Sequence, residues 1–106
     1  MNTVNTSAPP ATLFVFVRLH AAGGNEAEVL DALRAVVSAS RTEIGCISID
    51  AFRSCRDEAL FFIHSVWRDA NAFDDHAELP HTKHFIEAVD RLVDEPRQVT
   101  RTIRLD

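Results

Sequence analysis

Cys46-Ile47-Ser48-Ile49-Asp50-Ala51-Phe52-Arg53 and Ala59-Leu60-Phe61-Phe62-Ile63-His64-Ser65-Val66-Trp67 are two runs of β-branched and aromatic residues separated by the polar stretch Ser54 to Glu58. Runs of this kind on either side of a short polar turn read as the two strands of a hairpin. Side chains alternate across a strand, so Ile47, Ile49 and Ala51 are placed on one face of the first. In the second, Phe61, Ile63, Ser65 and Trp67 share one face, and Leu60, Phe62, His64 and Val66 share the other.

The elements around this hairpin follow from changes of period. Leu13-Phe14-Val15-Phe16-Val17-Arg18-Leu19-His20 is another strand, stopping before Gly23-Gly24. Asn25 can cap a helix, with Glu28 in the capping-box position and Glu26 in the first turn, where negative charge is favoured. Val29, Leu33, Val36 and Ser40, joined by Leu30 and Val37, recur at helical spacing, so this helix ends near Arg41, before Gly45. After Trp67, Asp69 can cap a short helix through Ala72, Phe73 and His76. Pro80 interrupts it and opens another, since Pro is tolerated in a first helical turn. Phe85, Ile86, Val89, Leu92 and Val93 form that helix's apolar stripe, Pro96 follows its end, and Val99, Arg101, Ile103 and Leu105 alternate through a last strand. The order is β-α-β-β-α-β with the second helical region broken in two. That is an α+β fold of the ferredoxin-like, split βαβ type, with an antiparallel four-stranded sheet. Residues 13–106 make one such domain, and Met1 to Thr12, polar and carrying Pro9-Pro10, is expected to be disordered.

Composition narrows the function classes. The 106 residues are 46% hydrophobic and 25% charged, ordinary for a globular domain. Sixteen acidic against 11 basic residues give a net charge of −5, and the Arg residues are scattered. Phosphate backbones need clustered positive charge, so nucleic acid is not an expected partner. The longest apolar run, Leu13 to Val17, is too short to cross a bilayer. The N-terminus lacks the basic and apolar regions of a signal peptide. Cys46 and Cys55 form neither a disulfide framework nor a metal motif, which suits a reducing, cytoplasmic setting. Neither has a local feature that would activate a thiol. Gly23-Gly24 lacks the rest of a phosphate-binding loop.

The strands also speak to assembly. The first is apolar on both faces, with Phe14 and Phe16 on one and Leu13, Val15, Val17 and Leu19 on the other, and the third strand is likewise two-sided. Two helices cover one face of a four-stranded sheet. The other would expose a large aromatic patch, so a homodimer is expected.

Ser40-Arg41-Thr42-Glu43-Ile44-Gly45-Cys46, Trp67-Arg68-Asp69 and His76 followed by Pro80-His81 occur in that order in a chain that begins with a strand, Gly23 and a helix. Together they resemble the antibiotic biosynthesis monooxygenase (ABM) domain over nearly everything after Leu13. The resemblance implies a dimeric α+β barrel in which two sheets meet face to face. In several members it implies oxygenation of quinols or polyketide phenols without metal or flavin. The family usually carries Glu two positions before this Trp, where Ser65 stands here, and some members place a Tyr in the pocket, whereas this chain has none. Related haem-degrading enzymes need an Asn and a His at positions that correspond to Val17 and Ile86, so haem is not expected.

Candidate site residues cluster between Phe61 and Phe85. His is the side chain best placed to move a proton at neutral pH, and the one Trp beside it supplies an apolar wall. His76 is either a helix C-terminal His favoured by the dipole or a general base or hydrogen-bond donor to a substrate hydroxyl. Trp67 is either core or the wall of a cavity that Phe61, Ile63 and Ser65 also face. Phe73 and Phe85 would extend that wall, and Ser65 would orient a substrate oxygen. His81 is either a first-turn anchor or a substrate contact, His84 is expected to face solvent, and His64 to point into the dimer interface. Of His76, His81 and His84 as a metal-binding set, His81 and His84 can share a helix face, but no carboxylate stands near in a recognised ligand spacing, so no metal is expected.

These readings converge on a cofactor-independent monooxygenase acting on a small electron-rich phenol or hydroquinone and O₂. The same pocket would also serve an isomerase or lyase of this fold, or a non-enzymatic dimer that binds a metabolite.

Overall fold

The computed structural model describes residues 11–106, so most of the N-terminal segment expected to be disordered lies outside the described residues. The elements are β1 (Leu13–His20), α1 (Glu26–Ser40), β2 (Cys46–Arg53), β3 (Leu60–Trp67), α2 (Ala70–Glu78), α3 (Pro80–Asp90) and β4 (Gln98–Thr102). They form one sheet in the order β2-β3-β1-β4, and every neighbouring pair is antiparallel. This is the split arrangement read from the sequence: β3, the return strand of the hairpin, inserts between β1 and β2.

Register explains which side chains are buried. β1 and β3 pair with Leu13 opposite Trp67, Val15 opposite Ser65, Val17 opposite Ile63 and Leu19 opposite Phe61. Val15, Leu19, Phe61, Ser65 and Trp67 are almost wholly buried. The stripe of α1 (Val29, Leu33, Val36) and that of α3 (Phe85, Val89) pack on this face with Ile49, Phe61 and Ile63. Burying side chains of this size contributes roughly 1.5–3 kcal/mol each, which makes the face the main source of stability. Ser40 completes the α1 stripe and is fully buried, its hydroxyl unpartnered among the described residues.

The other face carries Phe14, Phe16, Phe52, Phe62 and His64. Phe16 is 50% exposed and Phe52 54%. The His64 ring lies against Phe16 at 4.8 Å between centroids, and Arg104 lies over the Phe14 ring.

Three local expectations need correction. Ile47 does not share a face with Ile49: a β-bulge between Cys46 and Ser48 makes Ile47 an extra residue opposite the Trp67–Val66 step, and it is 61% exposed. Ala51 keeps its pairing with Ile63 but is also exposed. The last strand stops at Thr102, opposite Phe14 and one residue short of the start of β1, leaving Ile103 and Leu105 exposed. Asn25 occupies the N-cap of α1 without capping through its side chain, since its backbone is not extended there and its Nδ2 donates instead to the Leu92 carbonyl. Glu26, rather than Glu28, reaches back, accepting from the Gly24 N–H. Asp69 caps α2 as expected, accepting from the Ala72 N–H at 2.8 Å, and Pro80 opens α3.

His20 fastens the far end of β1. Its Nδ1 meets Asp94 at 2.9 Å and its Nε2 meets Asp57 at 3.0 Å, joining the strand to the segment after α3 and to the β2–β3 turn. The hydrogen bonds to Asp94 and then Asp57 raise the His20 pKa, while the Ala59 N–H and then His20 lower that of Asp57. A raised folded-state pKa stabilises below the ordinary value of 6.5 and loses that contribution as pH rises through the raised value. The lowered Asp57 pKa stabilises above its ordinary 3.8 and loses it as pH falls through the lowered value. The stability gap between wild type and His20→Gln in urea denaturation is therefore expected to be widest between these two ordinary values and to shrink in alkali. A gap that holds constant or widens toward high pH would contradict this assignment.

Candidate active site

The turn between α1 and β2 is wound tightly by backbone bonds from Thr42 to Ala39, Glu43 to Ser40 and Cys46 to Glu43. It projects Glu43 beneath the broken helical region. There a single carboxylate oxygen, Glu43 Oε2, lies 2.8 Å from His76 Nδ1 and 2.7 Å from His81 Nε2. The three side chains are inward-facing: 12% exposed for Glu43, 9% for His76 and 29% for His81. An ionised carboxylate only accepts, so both ring nitrogens that face it carry hydrogens. Thr82 Oγ1, 3.2 Å from His76 Nδ1, adds a second contact on the same side of that ring. A neutral His76 with hydrogen on Nδ1 has its lone pair on Nε2, which has no hydrogen-bond partner among the described residues.

That imidazole lines a cavity of about 190 Å³ between the sheet and helices α2 and α3. Its walls are apolar: Val17, Ile49, Ile63, Phe73, Phe85 and Ile86 are among them. Ser65 and Thr82 are the hydroxyl groups in the lining, and Arg97, paired with Asp90, and Val99 complete it on the β4 side. A space of this size suits one or two fused rings, and apolar walls with few polar groups are usual for small-molecule sites.

The structure sorts the expected residues. His76, Ser65, Ile63, Phe73 and Phe85 all line the cavity. Trp67 does not; it is fully buried behind the wall, its ring 4.5 Å from that of His76 and 5.6 Å, edge-on, from that of Phe73. Phe61 also lies outside the cavity, six residues along β3 from Trp67, inside the main core with Arg53 over its ring. Ser65 Oγ accepts a 2.9 Å hydrogen bond from Trp67 Nε1, so its first role is to satisfy a buried indole. His81 lies outside the cavity, in a groove between α1 and α3 that His84 also lines. His84 is exposed and His64 lies on the opposite sheet face, both as expected.

Glu43, Thr82 and Arg97 were not singled out from the sequence. Glu43 stood in the Ser40–Cys46 motif, but 33 and 38 residues separate it from the two His residues it joins. The absence of a nearby carboxylate, which weighed against a metal, therefore holds along the chain and fails in space. Cys46, beside this turn, has its thiol pKa pushed up by burial and then by Glu43, consistent with an inert cysteine.

Gly45 is required by close approach. A Cβ there would stand 2.5 Å from the Ala72 Cβ of α2, the helix that carries His76. Gly45→Ala is expected to cost about 1–3 kcal/mol by overpacking, whereas Gly23→Ala, whose Cβ would meet nothing within 4 Å, should stay within about 0.5 kcal/mol. Urea denaturation of the two variants checks this, and equal effects would mean that α2 is not seated on Gly45.

Comparison with known proteins follows the same outline. The chain superposes on PA3566 from Pseudomonas aeruginosa with a TM-score of 0.86 at 27% identity, covering 94% of this chain and 100% of that one. Rv0793 from Mycobacterium tuberculosis gives a TM-score of 0.86 at 25% identity, covering 91% and 97%. A structure described as an antibiotic biosynthesis monooxygenase gives 0.85 at 21% identity, covering 89% and 99%, a likeness of fold. No curated protein sequence matches. The family model for antibiotic biosynthesis monooxygenase matches residues 12–88, a span that runs from β1 through Glu43, Trp67, His76 and His81 into α3. The chain belongs to the antibiotic biosynthesis monooxygenase family.

Proposed function

We propose that this protein is a cofactor-independent monooxygenase that oxidises a small electron-rich phenol or hydroquinone, with His76 as the general base. The observation that carries the reading is the Glu43–His76 pair, with Nδ1 held by the carboxylate and Nε2 without a hydrogen-bond partner among the described residues, on a side chain that lines an apolar cavity. Family membership supports the reaction class. Nε2 takes the hydroxyl proton, and Glu43 stabilises the resulting imidazolium. The aryloxide then gives one electron to O₂, and the radical pair recombines to a carbon–oxygen bond. Nε2–H returns a proton to the peroxide, and loss of water leaves a quinone carbonyl on the substrate. Apolar walls suit the uncharged O₂ and limit competing protonation by water. Trp67 and Phe73 pack on the His76 ring and would act as positioning residues.

The same reading includes a homodimer formed through the outer face of the sheet, where Phe14, Phe16, Phe52 and Phe62 stand exposed or half-exposed around His64. Exposed aromatic area of this kind is characteristic of interfaces. Light scattering at micromolar concentration should give twice the 11.8 kDa chain mass, and Phe16→Asp should lower it. A folded monomer in the wild type would contradict the assembly.

Oxygen uptake over a panel of hydroquinones tests the activity. Folded His76→Ala should lose about 10²–10⁴ in rate. Trp67→Ala should first lose stability, roughly 3–5 kcal/mol for a fully buried aromatic, so folding must be checked before turnover is compared. If His76→Ala keeps full activity while His81→Ala loses it, the base is misassigned. If the wild type takes up no O₂ with any of the panel, the oxygenase reading fails.

A further inference from the structure

We infer that Glu43, His76 and His81 form a binding site for a divalent first-row transition metal ion, with Zn²⁺ as the probe. The inference goes beyond the proposed oxygenase reading, to which metal binding would be antagonistic. The donor atoms Glu43 Oε2, His76 Nδ1 and His81 Nε2 lie within 4.8 Å of one another. Two imidazoles and one carboxylate, converging from three separate backbone segments, are a donor set suited to Zn²⁺ and its neighbours. The site is also supported as metal centres usually are. Glu43 sits on a tightly hydrogen-bonded turn, His76 on a capped helix and His81 in the turn opened by Pro80. The Trp67 and Phe73 rings flank His76 and keep that side dry, while His81, 29% exposed, leaves a route in from solvent. Thr82 Oγ1, near His76 Nδ1, is a neutral oxygen on hand beside the three.

A second cluster, His20 with Asp94 and Glu95, brings three donor atoms equally close. It holds one imidazole, and its members are already committed: His20 to Asp57 and Asp94, and Glu95 to Arg18. The cluster with two imidazoles, centred on the buried His76, is therefore the preferred one. An ion there would replace both N–H···O contacts to Glu43. Ligation at Nδ1 would put the remaining His76 hydrogen on Nε2, turning that nitrogen from a proton acceptor into a donor. Metal and base would use the same imidazole in exclusive states.

The test is a calorimetric titration of Zn²⁺ into the chelator-stripped protein, with no substrate present, so its outcome is separate from that of the oxygenase assay. One tight site per chain is expected, weakened at least about tenfold in Glu43→Gln and in His81→Asn, and unchanged in His84→Ala. Circular dichroism establishes that each variant is folded, and Glu43→Gln preserves the shape of the side chain if His81→Asn does not fold. No saturable binding overturns the proposal. So does binding of equal strength in the folded ligand variants, or binding lost in His20→Gln instead. Where turnover of a hydroquinone is measurable, Zn²⁺ should suppress it and a chelator restore it; undiminished turnover with the site filled would overturn the exclusion of base by metal.

Discussion

Glu43 Oε2 is a carboxylate oxygen taken largely out of water and shared by two imidazoles from different helices. A buried carboxylate is tolerated only where hydrogen-bond donors replace its lost hydration. The donors here come from α2 and α3, so the electrostatic requirement of one side chain ties the α1–β2 turn to both halves of the broken helical region. Pro80 makes this geometry available by ending one helix and starting the next, so that His76 and His81 approach from two directions rather than along one helix face. The orientation of the His76 ring follows from this shared oxygen and from the Trp67 ring packed against it.

The sheet divides the remaining work. One face buries Val15, Leu19, Phe61 and Trp67 under the helices and leaves between them the apolar cavity that His76 lines. The other carries Phe16 and Phe52 in the open and holds no part of that cavity. Because side chains alternate, each central strand contributes to both faces: β3 sends Ser65 and Ile63 into the cavity wall and His64 and Phe62 outward.

Period and punctuation made the element order legible. The two-sided β1 and β3, the stripe from Val29 to Val37, Asp69 before α2 and Pro80 before α3 all carry local signals strong enough to place them. Errors arose where a tertiary partner overrode the local pattern. Ile47 obeyed alternation in the sequence, but the bulge opposite Trp67 moved it outward. Ile103 and Leu105 alternate, yet the ladder between β1 and β4 ends at the Phe14–Thr102 pair. Asn25 was chemically able to cap α1, and its amide went to the Leu92 carbonyl, 67 residues away. The site was legible by residue type and less so by arrangement. His76 stands out for its chemistry, whereas Trp67, open in the sequence between core and cavity wall, is core and packs behind the His76 ring. Glu43 lay within a quoted motif without a role, because no spacing rule connects a carboxylate to imidazoles more than 30 residues downstream.

The central claim is that Glu43 fixes His76 with its hydrogen on Nδ1 and its lone pair on Nε2. Long-range ¹H–¹⁵N correlation of the histidine side chains, recorded on chelator-treated protein at alkaline pH, where imidazoles are neutral, reads the tautomer directly. The account requires a His76 Nδ1–H signal with Nε2 unprotonated, and a change in that pattern in Glu43→Ala. A His76 ring that carries its hydrogen on Nε2 in the wild type, or a tautomer indifferent to the loss of Glu43, would contradict it.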